Sequence, residues 1–213
     1  MITDPLPENP ILILSDAEHQ LQAVSGEIIL LAGEVGSGKS LWLKRLAGLL
    51  DIPSHISASI NGKAVHNEVG RVQMLFDHQP PLWLGQSVAE ELCFGLKGRI
   101  DPERLAELLA EWRLESLDPT SELTSLNRLQ AVRLNLAAMA LAGPAIALLD
   151  NPTDALPEPD VIALRDDVTA WAHRSNTTVV VACNRWHDWQ PVATQSWRVT
   201  AAEDLPHREG RYE

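Results

Sequence analysis

Glu27-Ile28-Ile29-Leu30-Leu31-Ala32, followed directly by Gly33-Glu34-Val35-Gly36-Ser37-Gly38-Lys39-Ser40, is the stretch that decides the fold. Its first part is a short apolar run between Gly26 and Gly33, the pattern of a strand buried on both faces. Its second part fits the phosphate-binding loop pattern, two glycines with four residues between them, Gly33 and Gly38, and then Lys-Ser. Beyond the loop the period changes: Leu43, Leu46, Ala47 and Leu50 recur at helical spacing until Asp51 and Pro53 end the run. Strand, glycine loop and helix together make an anion cradle. Glycines let the backbone turn tightly so that its N–H groups converge on phosphate oxygens, Lys39 reaches the terminal phosphates, and the Ser40 hydroxyl suits a divalent cation.

Working outward, Ile56 to Val65 alternates apolar and polar positions around Asn61-Gly62, a hairpin signal, and Val69 to Phe76 reads as a further strand. The middle of the chain turns helical. Ser87-Val88-Ala89-Glu90 has the form of a capping box, and Asp101-Pro102 places a cap and a first-turn proline before Leu105, Leu108, Leu109 and Trp112. A third helix is expected to carry Leu126, Leu129, Val132, Leu136 and Met139. After Gly143-Pro144 the strand period returns in Ala145 to Leu149, which ends at Asp150. Val161 to Ala172 is again helical, and Thr177 to Ala182 is a β-branched, buried run. Buried strands alternating with helices predict an α/β fold with a mainly parallel sheet and a small antiparallel portion. The expected organisation is a single domain over 1–213, its core about 1–79 and 141–213, with an inserted helical subdomain at about 80–140.

The 213 residues are 45% hydrophobic and carry 17 basic against 29 acidic side chains, a formal net charge of -12. An acidic surface repels nucleic acid phosphates and anionic lipid headgroups, so a broad nucleic acid binder is not expected. A phosphate ligand meets the local field of the loop between Gly33 and Ser40, where N–H groups and Lys39 outweigh the average surface. The two cysteines, Cys93 and Cys183, give neither a disulfide framework nor zinc-ligand spacing, which fits a reducing cytoplasm. The N-terminus, with Asp4, Pro5, Pro7, Glu8 and Pro10, lacks a signal-peptide pattern. Leu134 to Leu149 is interrupted by Asn135 and Gly143-Pro144 and falls short of the roughly 20 apolar residues that span a bilayer. Tryptophan is over-represented, with seven against two Phe and one Tyr. Trp42, just behind the loop, is expected to pack its helix.

Ala145-Ile-Ala-Leu-Leu-Asp150 has the form of a second nucleotide motif, a carboxylate at the end of a buried strand that holds Mg²⁺. The stretch Gly26–Ser40 and the stretch Leu148-Leu-Asp-Asn-Pro-Thr-Asp-Ala-Leu-Pro157 resemble the P-loop and the Walker B and D-loop segments of the ABC (ATP-binding cassette) ATPase family. The resemblance runs from about residue 11 to about residue 200. It implies a P-loop NTPase core with an inserted α-helical subdomain, and ATP and Mg²⁺ as ligands. Gly33, Glu34, Val35, Gly36, Ser37, Gly38, Lys39, Ser40 and Leu41 would then surround the phosphates, with Ser40, Asp150 and Asp77 at the metal. Pro81 to Leu96 resembles the segment that leads into the helical lobe and touches a membrane partner.

The departures from the family pattern define a degenerate site. Asn151 stands where a catalytic Glu follows the Walker B Asp, and an amide does not accept a proton from water. Leu126-Asn127-Arg128-Leu129-Gln130 stands at the signature, where both glycines are gone; Arg128 and Leu129 obstruct close approach, and Asn127 is left as a donor. Cys183 replaces the switch histidine, with His187 as a stand-in four residues on. Asp77 takes the usual glutamine position, with Gln79 two residues later, and Pro157 takes that of the D-loop aspartate. No stacking aromatic lies between Ile11 and Gln20. The expectation is a cytoplasmic subunit, peripheral at the inner face of the cell membrane, that binds Mg-ATP with weak or absent hydrolysis. It would act with a membrane-spanning transporter subunit or a second ATPase subunit, as homo- or heterodimer. A regulatory or assembly protein using ATP-dependent dimerisation is the alternative. A fully active ATPase ranks lower, as does a P-loop kinase or GTPase, since Asn151 to Asp154 lacks the guanine-reading Asn-Lys-x-Asp pattern.

Overall fold

The structure is a computed structural model that describes residues 10–68, 70–77, 82–94 and 100–209. The chain opens with an antiparallel pair, β1 (Leu12–Ser15) and β2 (Gln20–Ala23), before β3 (Ile28–Ala32) and α1 (Lys39–Leu46). A hairpin of β4 (Ser57–Ile60) and β5 (Lys63–Ala64) follows, then β6 (Val72–Leu75). Three helices come next, α2 (Val88–Cys93), α3 (Pro102–Glu111) and α4 (Arg128–Ala142). The chain then returns through β7 (Ile146–Asp150), α5 (Glu158–Ser175), β8 (Thr178–Ala182), β9 (Gln195–Arg198) and β10 (His207–Arg208).

β3, β7 and β8 read as continuous apolar runs because both faces of their sheet are covered. Its order is β10-β9-β3-β8-β7-β6, parallel throughout except for the β10 edge. Alternate residues go to opposite sides. Ile28 and Leu30, with Ala147, Leu149, Val179 and Val181, face α4, α5 and Trp112; Ile29 and Leu31, with Leu148 and Val180, face α1 and the smaller sheet. Each fully buried Val, Leu or Ile contributes about 1.5–3 kcal/mol relative to exposure, so the strands are held from both sides. The second sheet, β2-β1-β4-β5, is antiparallel. At its tight turn Asn61 and Gly62 both take positive φ (51° and 75°), the conformation the Asn-Gly pair favours.

The helical insertion between β6 and β7 follows its caps. The Ser87 side chain accepts from the Glu90 N–H, but the Glu90 carboxylate reaches the N–H of Gln86, one residue before the position a full capping box requires. Asp101 caps α3 ahead of Pro102. The expectation that Leu126 opens the third helix is corrected. α4 starts at Arg128, because Asn127 and Gln130 close a reciprocal capping box that leaves Leu126 in extended conformation. Similarly, the strand expected from Val69 is confined to Val72–Leu75, with Val69 outside the described residues. α4 and α5 are tied internally: the Arg133 guanidinium donates twice to Asp167 (2.9 and 2.7 Å), both side chains buried, and Arg113 adds a contact at 3.0 Å. No helix among the described residues is long and apolar enough to cross a membrane.

Candidate nucleotide site

The loop between β3 and α1 closes on itself through its glycines. A Cβ at Gly33 (φ 153°) would meet Ser37 Oγ and the Val199 carbonyl at 2.6 Å, and one at Gly38 (φ 103°) would meet Ala202 Cβ at 2.6 Å. Glycine is required at both positions by close approach as well as by φ. Lys39 is 7% exposed and donates its Nζ to the carbonyls of Gly33 (2.8 Å) and Glu34 (2.9 Å), folded across the concavity. Burial lowers the Lys39 pKa, with Cys183 and Asp150 opposing the shift. Ser37 Oγ is buried without a partner, an orphaned polar atom inside the cradle. Val35 is wholly outward at 84% exposure, and Leu41, in the first turn of α1, is exposed.

At the far end of the cradle Ser40 Oγ donates to Asp150 Oδ1 at 2.9 Å. Burial raises the Asp150 pKa; the Ser40 bond opposes this and the Asp77 carboxylate adds to it. A carboxylate that is costly to ionise and sits against a hydroxyl is a fitting seat for a divalent cation, which would supply the missing charge. Asp77, two residues beyond β6, accepts from Asn151 Nδ2 at 2.9 Å, and Asn151 Oδ1 accepts from the Asn184 N–H at 3.1 Å. Ser40, Asp150, Asp77 and Asn151 are thus drawn to one end of the sheet. Gln79 lies outside the described residues.

Cys183 follows β8 directly and is 2% exposed; burial first, then Asp188, pushes its thiol up to about 12. A neutral thiol there is packing material. His187 is edge-on to Trp186 and stands 3.6 Å from the Asp188 carboxylate. Asp188 in turn accepts from Thr153 Oγ1 (3.0 Å), and Trp189 Nε1 donates to the same hydroxyl (3.3 Å), locking the loop after β8 to the loop after β7. Pro157 precedes α5 as its cap residue. In the signature-like segment the Asn127 side chain is taken up by the Gln130 N–H, while Arg128 Nε donates to the Asp154 carbonyl at 3.0 Å. Leu126 and Leu129 pack against the core below.

Sequence reading missed two neighbours of the loop. Trp42 is fully buried under the Arg45 guanidinium, 5.4 Å from the ring centroid, so the tryptophan beside the loop is Trp186, 41% exposed in a cavity with Gly33, Glu34 and Val35. Ala202 closes against the base of the loop, and Arg45 bonds both its carbonyl and the Glu203 carboxylate. Neither signal is local in sequence. A larger cavity of about 850 Å³ opens between β6 and the helical insertion, with Leu82, Leu84 and Phe94 exposed along it and Asp77, Asp150 and Asn151 also in its lining.

Comparison with known proteins agrees with this geometry. The sulfate/thiosulfate import ATP-binding protein CysA of Synechocystis is 30% identical over 167 residues, covering 75% of this chain and 45% of its own length. The chain spans about half the length of the curated relatives it matches first. The fold is that of CbiO1 from Clostridium perfringens, a part of the ABC transporter complex CbiONQ, at a TM-score of 0.79 and 16% identity over 94% of this chain and 89% of that one. It is also that of an ATP-binding cassette in a dimeric post-hydrolysis state with ADP and Pi, at a TM-score of 0.72 and 20% identity, covering 95% of this chain and 99% of that one. With the ABC transporter family model matched from residue 17 to 154, across the phosphate loop, the helical insertion and Asp150, the chain belongs to the ABC transporter family.

Proposed function

We propose that this chain is an ATP-binding subunit of an ABC transporter, which holds Mg-ATP on Gly33 to Leu41 and hydrolyses it slowly or not at all by itself. The observation that carries the reading is the cradle itself: Lys39 lies across carbonyls that phosphate oxygens would displace, and Ser37 Oγ lacks a partner inside it. Ser40, Asp150 and Asp77 fit a hard divalent cation by donor type. A divalent cation held by Ser40, Asp150 and Asp77 would supply positive charge against the negative charge that builds on the phosphate during transfer. Lys39 swings from the loop carbonyls to the β and γ phosphates, and the backbone N–H groups of Gly36 to Lys39 orient them. The weak step is proton removal from water. Asn151 has no basic atom, and the Cys183 thiol is a poor donor. The buried thiol supports the same reading, since its pKa near 12 keeps it neutral.

Residues of about 80–140 form the helical subdomain in this reading, supported by α2, α3 and α4 between β6 and β7. The apolar exposure of Leu82, Leu84 and Phe94, with the import proteins among the relatives, supports a membrane-spanning partner there, and the dimeric neighbour supports assembly with a second ATPase subunit. The subunit would then work on the cytoplasmic side, at the inner face of the cell membrane. A tryptophan fluorescence titration with Mg-ATP tests the central claim. We expect a saturable change reported by Trp186 and its loss in Lys39→Ala; an identical titration in that variant overturns the assignment. A turnover of the purified chain of about 1 s⁻¹ or above, the ordinary enzyme range, overturns the weak-hydrolysis claim.

A further inference from the structure

Asn151 does more than stand in an altered catalytic position. Its backbone is in the left-handed region (φ 48°), which Asn and Asp tolerate better than other non-glycine residues, and this turns its side chain between two loops. The partners fix the orientation of the amide. The Asp77 carboxylate only accepts and must face Nδ2 (2.9 Å); the Asn184 N–H only donates and must face Oδ1 (3.1 Å). One planar group therefore bridges the exit of β6 and the exit of β8, with β7 between them in the sheet. A carboxylate at 151 cannot make the bridge, because it would set two like charges at hydrogen-bond distance.

We propose that Asn151 is a positioning residue that ties Asp77 to the loop after β8, so that the exits of β6 and β8, which flank the cation end of the phosphate cradle, move as one unit. The residue pair has its own polarity, donor at 151 and acceptor at 77. An exchange of donor and acceptor preserves the bridge, since the oxygen that accepts from Asn184 remains at 151. The assignment of Asp77 to the cation rests on the nucleotide reading above, but the bridge does not, and it is measured without nucleotide.

The test is amide hydrogen exchange on the nucleotide-free chain, read at residues 75–77 and 183–185. Asn151→Ala is expected to speed exchange in both segments by about threefold or more, as local opening becomes easier. Asn151→Asp keeps the acceptor for Asn184 and repels Asp77, so only 75–77 speeds up. Adding Asp77→Asn to Asn151→Asp restores the donor–acceptor pair in reverse and returns 75–77 to the wild-type rate, a coupling that independent sites do not show. Unchanged exchange at 75–77 in Asn151→Asp, or a double variant no better protected than that single one, overturns the inference. Failure of Mg-ATP to bind would overturn the nucleotide reading and leave these exchange rates to decide the bridge.

Discussion

Cys183 shows how one substituted position changes its chemistry with its surroundings. Burial holds its thiol neutral in the folded chain up to about pH 12, whereas in the unfolded chain it ionises near the ordinary cysteine value of about 9. Below pH 9 neither state carries the charge and the contribution to stability is complete. Between pH 9 and 12 the unfolded state loses its proton first, so stability falls as pH rises, by up to about 1.4 kcal/mol per pH unit. Cys183→Ala is expected to flatten that part of an alkaline denaturation profile, and iodoacetamide at pH 8 should label Cys183 only after unfolding. Rapid labelling of the native chain at Cys183 would contradict its burial. The sequence places this cysteine where a switch histidine is expected and, at a strand end, reads it as a small buried residue; its neutral thiol follows from that burial.

Among the elements, α4 shows the competition between local and tertiary signals. Leu126, Leu129, Val132 and Met139 keep a helical period, yet the helix begins two residues after Leu126 because Asn127 and Gln130 satisfy each other's backbone N–H groups. Asn127→Ala removes the cap and is expected to cost about 1 kcal/mol, a fall of roughly 2–4 °C in Tm for a chain of this size. A loss within error in thermal unfolding would mean that the buried Arg133–Asp167 pair, and not the cap, sets the start of α4. Glu91 acts similarly on the approach to α2: its carboxylate accepts from the N–H groups of Leu84 and Gly85, both at 2.8 Å, and fixes the turn that presents Leu84. Capping residues are legible in sequence, while a carboxylate reaching back six or seven residues to a loop is not.

For the whole molecule, the two clusters on either side of the parallel sheet hold a phosphate cradle at one end and an apolar groove beside it. If a membrane-spanning partner fills that groove, Leu84→Asp and Phe94→Asp should abolish co-purification with it while Mg-ATP titration stays unchanged. Retention of the partner by both variants would remove the groove from the interface. The sequence by itself determined the strand–loop–helix unit with its glycine loop, the alternation of buried strands with helices, and the cap positions of α2 and α3. Each of these depends on spacing within a few residues, where periodicity, glycine and caps act. Only the tertiary structure decided that Trp186 lies beside the loop, that Ala202 closes on its base, and that Asn151 joins Asp77 to Asn184. Those contacts link residues 33 to 164 positions apart, and what brings them together is the packing of one parallel sheet from both faces.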